Sequence, residues 1–216
     1  MKTKILLLCG LLLATISCKK DKPSVDLQKG LVSYFNFDDN LKDQKGYASD
    51  GVPTGNPTFT AGKRGKALTR NGIDQSVNFK PKNPLNSNQI SISCWFKTVD
   101  LGFNKLVLEI TNPSNEVKIY TTQGEVTLTV SLPNTNSVYV PFLSGQWNHY
   151  VGTFDGNTMK VYINGIYIAQ KDHPGTIFGF NDNLDLTYDW PGSIDELYIY
   201  NRALSPAEVT QLYNLK

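Results

Sequence analysis

Gly192-Ser193-Ile194-Asp195-Glu196-Leu197-Tyr198-Ile199-Tyr200-Asn201-Arg202-Ala203-Leu204-Ser205-Pro206-Ala207-Glu208 is a strand that runs into a short helix. Strict alternation places Ile194, Glu196 and Tyr198 on one face of the strand and Asp195, Leu197 and Ile199 on the other. Ser205 has the chemistry of an N-cap, Pro206 suits the first helical position, and Glu208 completes a capping box. Leu204 before the cap and Val209 four residues into the helix can close a hydrophobic staple. A final strand sealed by so well-specified a helix marks the C-terminus as the lock of a β-sheet domain.

Upstream, the same period of two recurs in short runs separated by turn residues. Strands are expected at 31–37, 65–69, 75–79, 90–97, 104–111, 116–121, 125–131, 137–141, 147–154, 159–163 and 166–170. Asn71-Gly72 and Asn164-Gly165 are strong turn dipeptides, and the second reads as a tight hairpin. Between residue 38 and Asn56, Gly, Pro, Asn and Asp dominate, as in a long irregular loop. Helical periodicity is scarce before residue 205. An all-β, two-sheet antiparallel jelly-roll sandwich with a short C-terminal helix follows.

The 216 residues open on Lys2, Lys4 and an apolar run over 5–16, then Ser17-Cys18. This is the layout of a secretory signal, and the apolar run is short for a bilayer span. Thr15-Ile16-Ser17-Cys18 has the form of a relaxed lipobox, so Cys18 is expected to carry lipid. The organisation expected is a signal over 1–17, a lipidated tether over 18–29 and one domain over 30–216. Of 21 Lys and Arg, Lys2 and Lys4 leave with the signal, so 19 basic side chains balance 19 acidic ones. A balanced chain without basic runs offers nucleic acid no electrostatic footprint. Cys9 leaves with the signal and Cys18 takes lipid, which leaves Cys94 as a buried, unpaired thiol and the fold without disulfides.

Three blocks, in this order, resemble the laminin G-like jelly rolls of the concanavalin A-like lectin/glucanase superfamily. They are residues 30–43 with Gly62-Lys63-Arg64-Gly65-Lys66-Ala67-Leu68, then 90–97, then Trp147-Asn148-His149-Tyr150 through Tyr162-Ile163-Asn164-Gly165. The 192–208 stretch is similar to that family's closing block. The resemblance implies two curved antiparallel sheets with ligand on a concave face or at the loop rim, and sugars, proteins or lipids as ligands. It also implies a core position for Trp147 and a hydrogen-bonded structural role for His149.

Glucanase relatives carry alternate acids on one strand, which period two aims into a single cleft. Here Asp195 and Glu196 are adjacent and should face opposite ways, so that pattern is missing; a pair formed between strands by Glu109, Glu116 or Glu125 stays open. Two histidines, His149 and His173, and Gly62-Lys63-Arg64-Gly65 without a following helix support neither a catalytic triad, a transition-metal site nor a phosphate loop. Asp38, Asp39 and Asp43 cluster hard oxygen donors in a loop, and with Asp195 they form a candidate structural calcium site if first and last strands pair. The alternative is that these acids cap turns and accept from backbone amides. Sugar recognition calls for flat rings with amides and carboxylates beside them. Trp95, Tyr139, Phe142, Tyr188, Asp189 and Trp190 are the candidates. The function expected is a non-catalytic, lectin-like outer-membrane lipoprotein that captures glycans at or near the cell surface. Its alternatives are a protein-binding adhesion or scaffold module, and a glycan hydrolase or lyase with atypical catalytic residues.

Overall fold

The computed structural model describes residues 25–72, 74–83, 85–177, 179, 183–186 and 189–216. Cys18, the signal and most of the tether lie outside the described residues, as does Tyr188. The chain forms β1 (Leu31–Phe35), β2 (Val52–Thr54), β3 (Thr58–Ala61), β4 (Lys66–Asn71), β5 (Ser76–Phe79), β6 (Ile90–Lys97), β7 (Lys105–Thr111) and β8 (Glu116–Thr122). It continues with β9 (Glu125–Ser131), β10 (Thr135–Pro141), β11 (Asn148–Phe154), β12 (Thr158–Ile163), β13 (Ile166–Asp172), β14 (Asn183–Leu186), β15 (Pro191–Tyr200) and helix α1 (Pro206–Asn214). An eight-stranded sheet runs β13-β12-β11-β6-β15-β4-β3, with β1 also on β15; a seven-stranded sheet runs β10-β9-β8-β7-β14-β5-β2. Every ladder between these strands is antiparallel. This is the two-sheet jelly-roll sandwich that the alternation requires.

The inward positions of both sheets supply one core. Phe35, Phe79, Ile92, Phe96, Leu108, Ile119, Leu128, Tyr150, Phe154, Leu184 and Leu197 are all buried in it. A burial of this kind stabilises by about 1.5–3 kcal/mol per large side chain. Cys94 is buried and unpaired, and burial pushes its thiol up to about 12, so it behaves as a small apolar residue. Trp147 falls short of the core position implied for it and is only partly buried, just before β11.

Asn164 (φ 51) and Gly165 (φ 80) make the tight β12–β13 hairpin. Asn71-Gly72 turns the chain differently: β4 and β5 belong to opposite sheets, so the turn is a crossing between layers. The loop expected before Asn56 contains the short edge strand β2, and the polar segment before Trp190 contains β14.

The alternation expected in β15 breaks at Glu196. Its φ of 50° and the register shift between Asp195 and Tyr198 mark a β-bulge. The extra residue brings Ile194, Leu197 and Ile199 all into the inter-sheet core. Asp195 and Glu196, expected to face opposite ways, both engage Arg64 instead: Arg64 N donates to Asp195 Oδ2 at 2.9 Å, and Arg64 Nη1 donates to Glu196 Oε2 at 2.7 Å. Behind the bulge, α1 lies on the outside of the eight-stranded sheet, where Val209 and Leu212 bury against Val151, Tyr162, Tyr200 and Leu204. Ser205 and Glu208 form the capping box in full, and Leu204 and Val209 share the buried cluster as the staple requires. Arg202 grips Glu208 with both terminal nitrogens, at 2.9 and 2.5 Å, which pulls the Glu208 carboxyl down to about 2.

Candidate ligand groove

The outward positions of the seven-stranded sheet are polar. Thr54, Ser76, Asn78, Asp185, Glu109, Tyr120, Thr127, Thr129, Thr135, Ser137 and Tyr139 come from its seven strands in spatial order. Thr127, Thr129 and Ser76 are buried although they point away from the core, as expected where a face curves inward. Two cavities lie along this face. One of about 470 Å³ is lined by Thr54, Ser76, Asn78, Asn104, Leu106, Glu109, Asp185 and Asp189. The other, of about 310 Å³, is lined by Asn104, Tyr120, Thr127, Thr129, Thr135, Ser137 and Tyr139. Asn104 borders both, so together they form one groove across the strands. Strands lie about 4.8 Å apart, which makes the groove about 29 Å long over six spacings.

Asp185 and Glu109 sit directly opposite each other on β14 and β7. Burial raises both carboxyls above their ordinary range; for Glu109, Lys118 opposes the rise and the Asp185 charge adds to it. Lys118 Nζ bridges Glu116 at 2.7 Å and Glu109 at 3.6 Å, and Asn78 Nδ2 donates to Asp185. The floor of the first cavity is therefore a row of acceptors flanked by amides, and the second is walled by hydroxyls with two tyrosine rings.

Only part of the sequence-derived ligand set reaches this groove. Tyr139 lines the second cavity and is half-exposed, and Asp189 (φ 60) lines the first. Of the other aromatic candidates, Trp95, Phe142 and Trp190 are buried away from the groove, and Tyr188 lies outside the described residues. Trp190 is fully buried, donates from Nε1 to Thr121 Oγ1 at 3.0 Å, and carries Arg70 over its ring. Phe142 packs edge-on against Phe96 in the core. Trp95 does lie outside the core, but on the other sheet, and it is closed over there. Its ring stacks on Tyr213 of α1 at 5.6 Å, meets His149 at 5.1 Å, and has Lys63 Nζ 4.2 Å above it. His149 has the structural role expected: Nε2 meets Ser93 Oγ at 3.0 Å, and burial lowers its pKa to about 3, so it is neutral.

The calcium set disperses in the same way. Asp38 Oδ1 accepts from Lys66 N, and Asp39 pairs with Lys66 Nζ, both at 2.7 Å. Asp43 accepts from Tyr34 N, Lys45 N, Ala48 N and Ser33 Oγ, and Asp195 from Arg64 N. First and last strands do pair, but the Gly62-Lys63-Arg64-Gly65 loop fills the space between the two acidic groups. A Cβ at Gly65 would run into Asp38 Oδ1, and one at Gly62 would lie 2.7 Å from Asp195 Oδ2. Among the described residues no three acidic, His or Cys side chains converge, so Asp38, Asp39, Asp43 and Asp195 do not fit a calcium site. Asp38, Asp43 and Asp195 accept from backbone amides instead, and Asp39 is taken up by the Lys66 ammonium. The groove residues that sequence reasoning missed, Asn78, Asn104, Tyr120, Thr127, Thr129 and Asp185, apart from Asn104 occupy outward strand positions whose alternation was the available signal.

Such a sandwich, with one face covered and the other grooved, defines a lectin-like jelly roll. A laminin G domain model described as the concanavalin A-like lectin/glucanases superfamily matches residues 71–210, and the chain belongs to that superfamily. No curated protein matches it in sequence. Among solved structures it is similar to domain 4 of AbnA, a GH43 extracellular arabinanase from Geobacillus stearothermophilus, solved in complex with arabinotriose. The identity is 27%, the TM-score 0.74, and the match covers 85% of this chain and 98% of that one. It shares the fold of the binding domain of Paraclostridial Mosquitocidal Protein 1, with 19% identity, a TM-score of 0.72, and 86% and 52% of the two chains covered. The receptor binding domain of botulinum neurotoxin C/D mosaic serotype also shares it, at 14% identity and a TM-score of 0.73, with 85% and 51% covered. The chain spans about half the length of these toxin domains. The family match and these structures agree on the concanavalin A-like jelly-roll fold.

Proposed function

We propose that this protein is a non-catalytic carbohydrate-binding lipoprotein which holds a glycan chain in the groove of its seven-stranded sheet. The observation that carries the reading is the groove itself: two adjoining cavities walled by hydroxyls, amides and carboxylates, with the Tyr120 and Tyr139 rings at one end. Those groups are the partners that sugar hydroxyls and pyranose faces need. The arabinotriose complex of domain 4 of AbnA supports sugar as the ligand class. In this reading Cys18 carries lipid and anchors the protein in an outer membrane, with the domain presented to the periplasm or the cell surface. Partitioning into the detergent phase that is lost in Cys18→Ser tests the anchor; unchanged partitioning would remove it.

A polysaccharide and oligosaccharide array tests the groove. Binding to one glycan class should weaken about tenfold or more in Tyr139→Ala and in Asn104→Gly, which suits the φ of 46° at that position, with the melting temperature little changed. A folded protein that binds no glycan would defeat the reading and favour a protein ligand. A second reading rests on the Glu109–Asp185 opposition, since paired carboxylates in a cleft are the requirement for glycoside hydrolysis. Shortened products in the same incubations, abolished by Glu109→Gln, would establish hydrolysis instead of capture.

A further inference from the structure

We propose that the groove selects uncharged glycan chains and rejects those bearing uronate or sulfate groups, an inference that rests on the carbohydrate reading above. Among the described residues every ionisable side chain lining the first cavity, Glu109, Asp185 and Asp189, is a carboxylic acid, and no lysine or arginine lines either cavity. Lys118, on the same face, is held between Glu116 and Glu109, and Lys80 opposes the rise of the Asp185 carboxyl without lining the cavity. An anionic sugar seated in the first cavity would bring its charge against Glu109 and Asp185, which already oppose each other across β7 and β14. Like charges brought together in a partly dried cleft repel strongly and discriminate against the wrong ligand. A neutral sugar meets the same groups as a hydroxyl donor: the carboxylates accept, and Asn78 and Asn104 can donate or accept.

Burial raises the Glu109 and Asp185 carboxyls, so both are partly desolvated and an anion placed beside them is opposed more than it would be in open water. The groove floor is therefore built as an acceptor surface for polyols.

Calorimetric titration of the full chain in detergent with arabino-, xylo- and manno-oligosaccharides, and with oligogalacturonate of matched length, tests this. The expected result is binding to at least one neutral series, with oligogalacturonate at least about tenfold weaker than the best of them. Glu109→Gln combined with Asp185→Asn should narrow that gap by admitting the uronate. Oligogalacturonate bound as tightly as the best neutral series by the unmodified protein would overturn the charge selection and leave the carbohydrate reading standing. A folded protein that binds neither kind would overturn both.

Discussion

The two outward faces of this sandwich are written in the same residue types and have opposite fates. On the eight-stranded sheet, Trp95, His149, Asp195 and Glu196 are buried beneath α1 and the 62–65 loop. On the seven-stranded sheet, Tyr120, Tyr139, Glu109 and Asp185 line an open groove. Aromatic and acidic side chains at outward strand positions do not by themselves make a site. What decides is whether another part of the chain returns to cover them. Tyr213 lies on Trp95, and Arg64 joins the cover to the bulge and to the helix end, where Nη2 donates to the Leu215 carbonyl at 2.6 Å.

The comparison breaks most visibly at the tryptophans. Trp190→Ala should cost about 3–5 kcal/mol, because it empties a fully buried position and leaves Thr121 and Arg70 without the ring between them. Chemical denaturation measures that loss, while the fraction that remains folded should bind glycan as before if Trp190 is core and not ligand. Loss of affinity without loss of stability would return Trp190 to the site. Tyr139→Ala is the converse case. Its ring is half-exposed in the groove, so affinity should fall about tenfold at nearly constant stability.

The sequence and the structure agree where local rules suffice. Strands at 90–97 and 125–131 were legible to the residue, because each is a run of β-branched, aromatic and small residues bounded by turn residues. The capping box, the staple and the Asn164-Gly165 hairpin were equally local. The bulge at Glu196 was not legible, since a non-glycine residue at φ 50° leaves no mark in the hydrophobic pattern. The fate of Trp95 turned on Tyr213, more than a hundred residues away, and that of the aspartates on a loop between them. The groove lay in between. Its alternating Thr127, Thr129, Ser137 and Tyr139 were readable as one face, but the Glu109–Asp185 opposition needed the register of β14, a strand hidden in a polar segment.

The covered face also makes a pH prediction of its own. Desolvation raises the Asp195 carboxyl to about 7; the Arg64 amide opposes the rise and the neighbouring Glu196 adds to it. The unfolded chain gives up that proton near the ordinary value of 3.8, so it binds fewer protons than the fold does between roughly pH 4 and pH 7. Stability contributed by this site therefore falls as pH rises through that window. His149, packed against the same Trp95, acts with opposite sign: its folded pKa of about 3 lies below the ordinary 6.5, so stability falls as pH drops below 6.5. The two slopes offset each other between about pH 4 and pH 6.5 in the natural protein. Asp195→Asn keeps an acceptor for Arg64 N and removes one of them. At pH 7.5 it should be more stable than the natural chain, by about 2 kcal/mol once the full shift is discounted for relaxation around the site. Below pH 6.5 it should lose stability more steeply, because the His149 slope then stands alone. Denaturation midpoints at pH 5 and pH 7.5 measure both effects. Parallel pH dependence in the two proteins would mean that water reaches Asp195 and that this face is less closed than its packing implies.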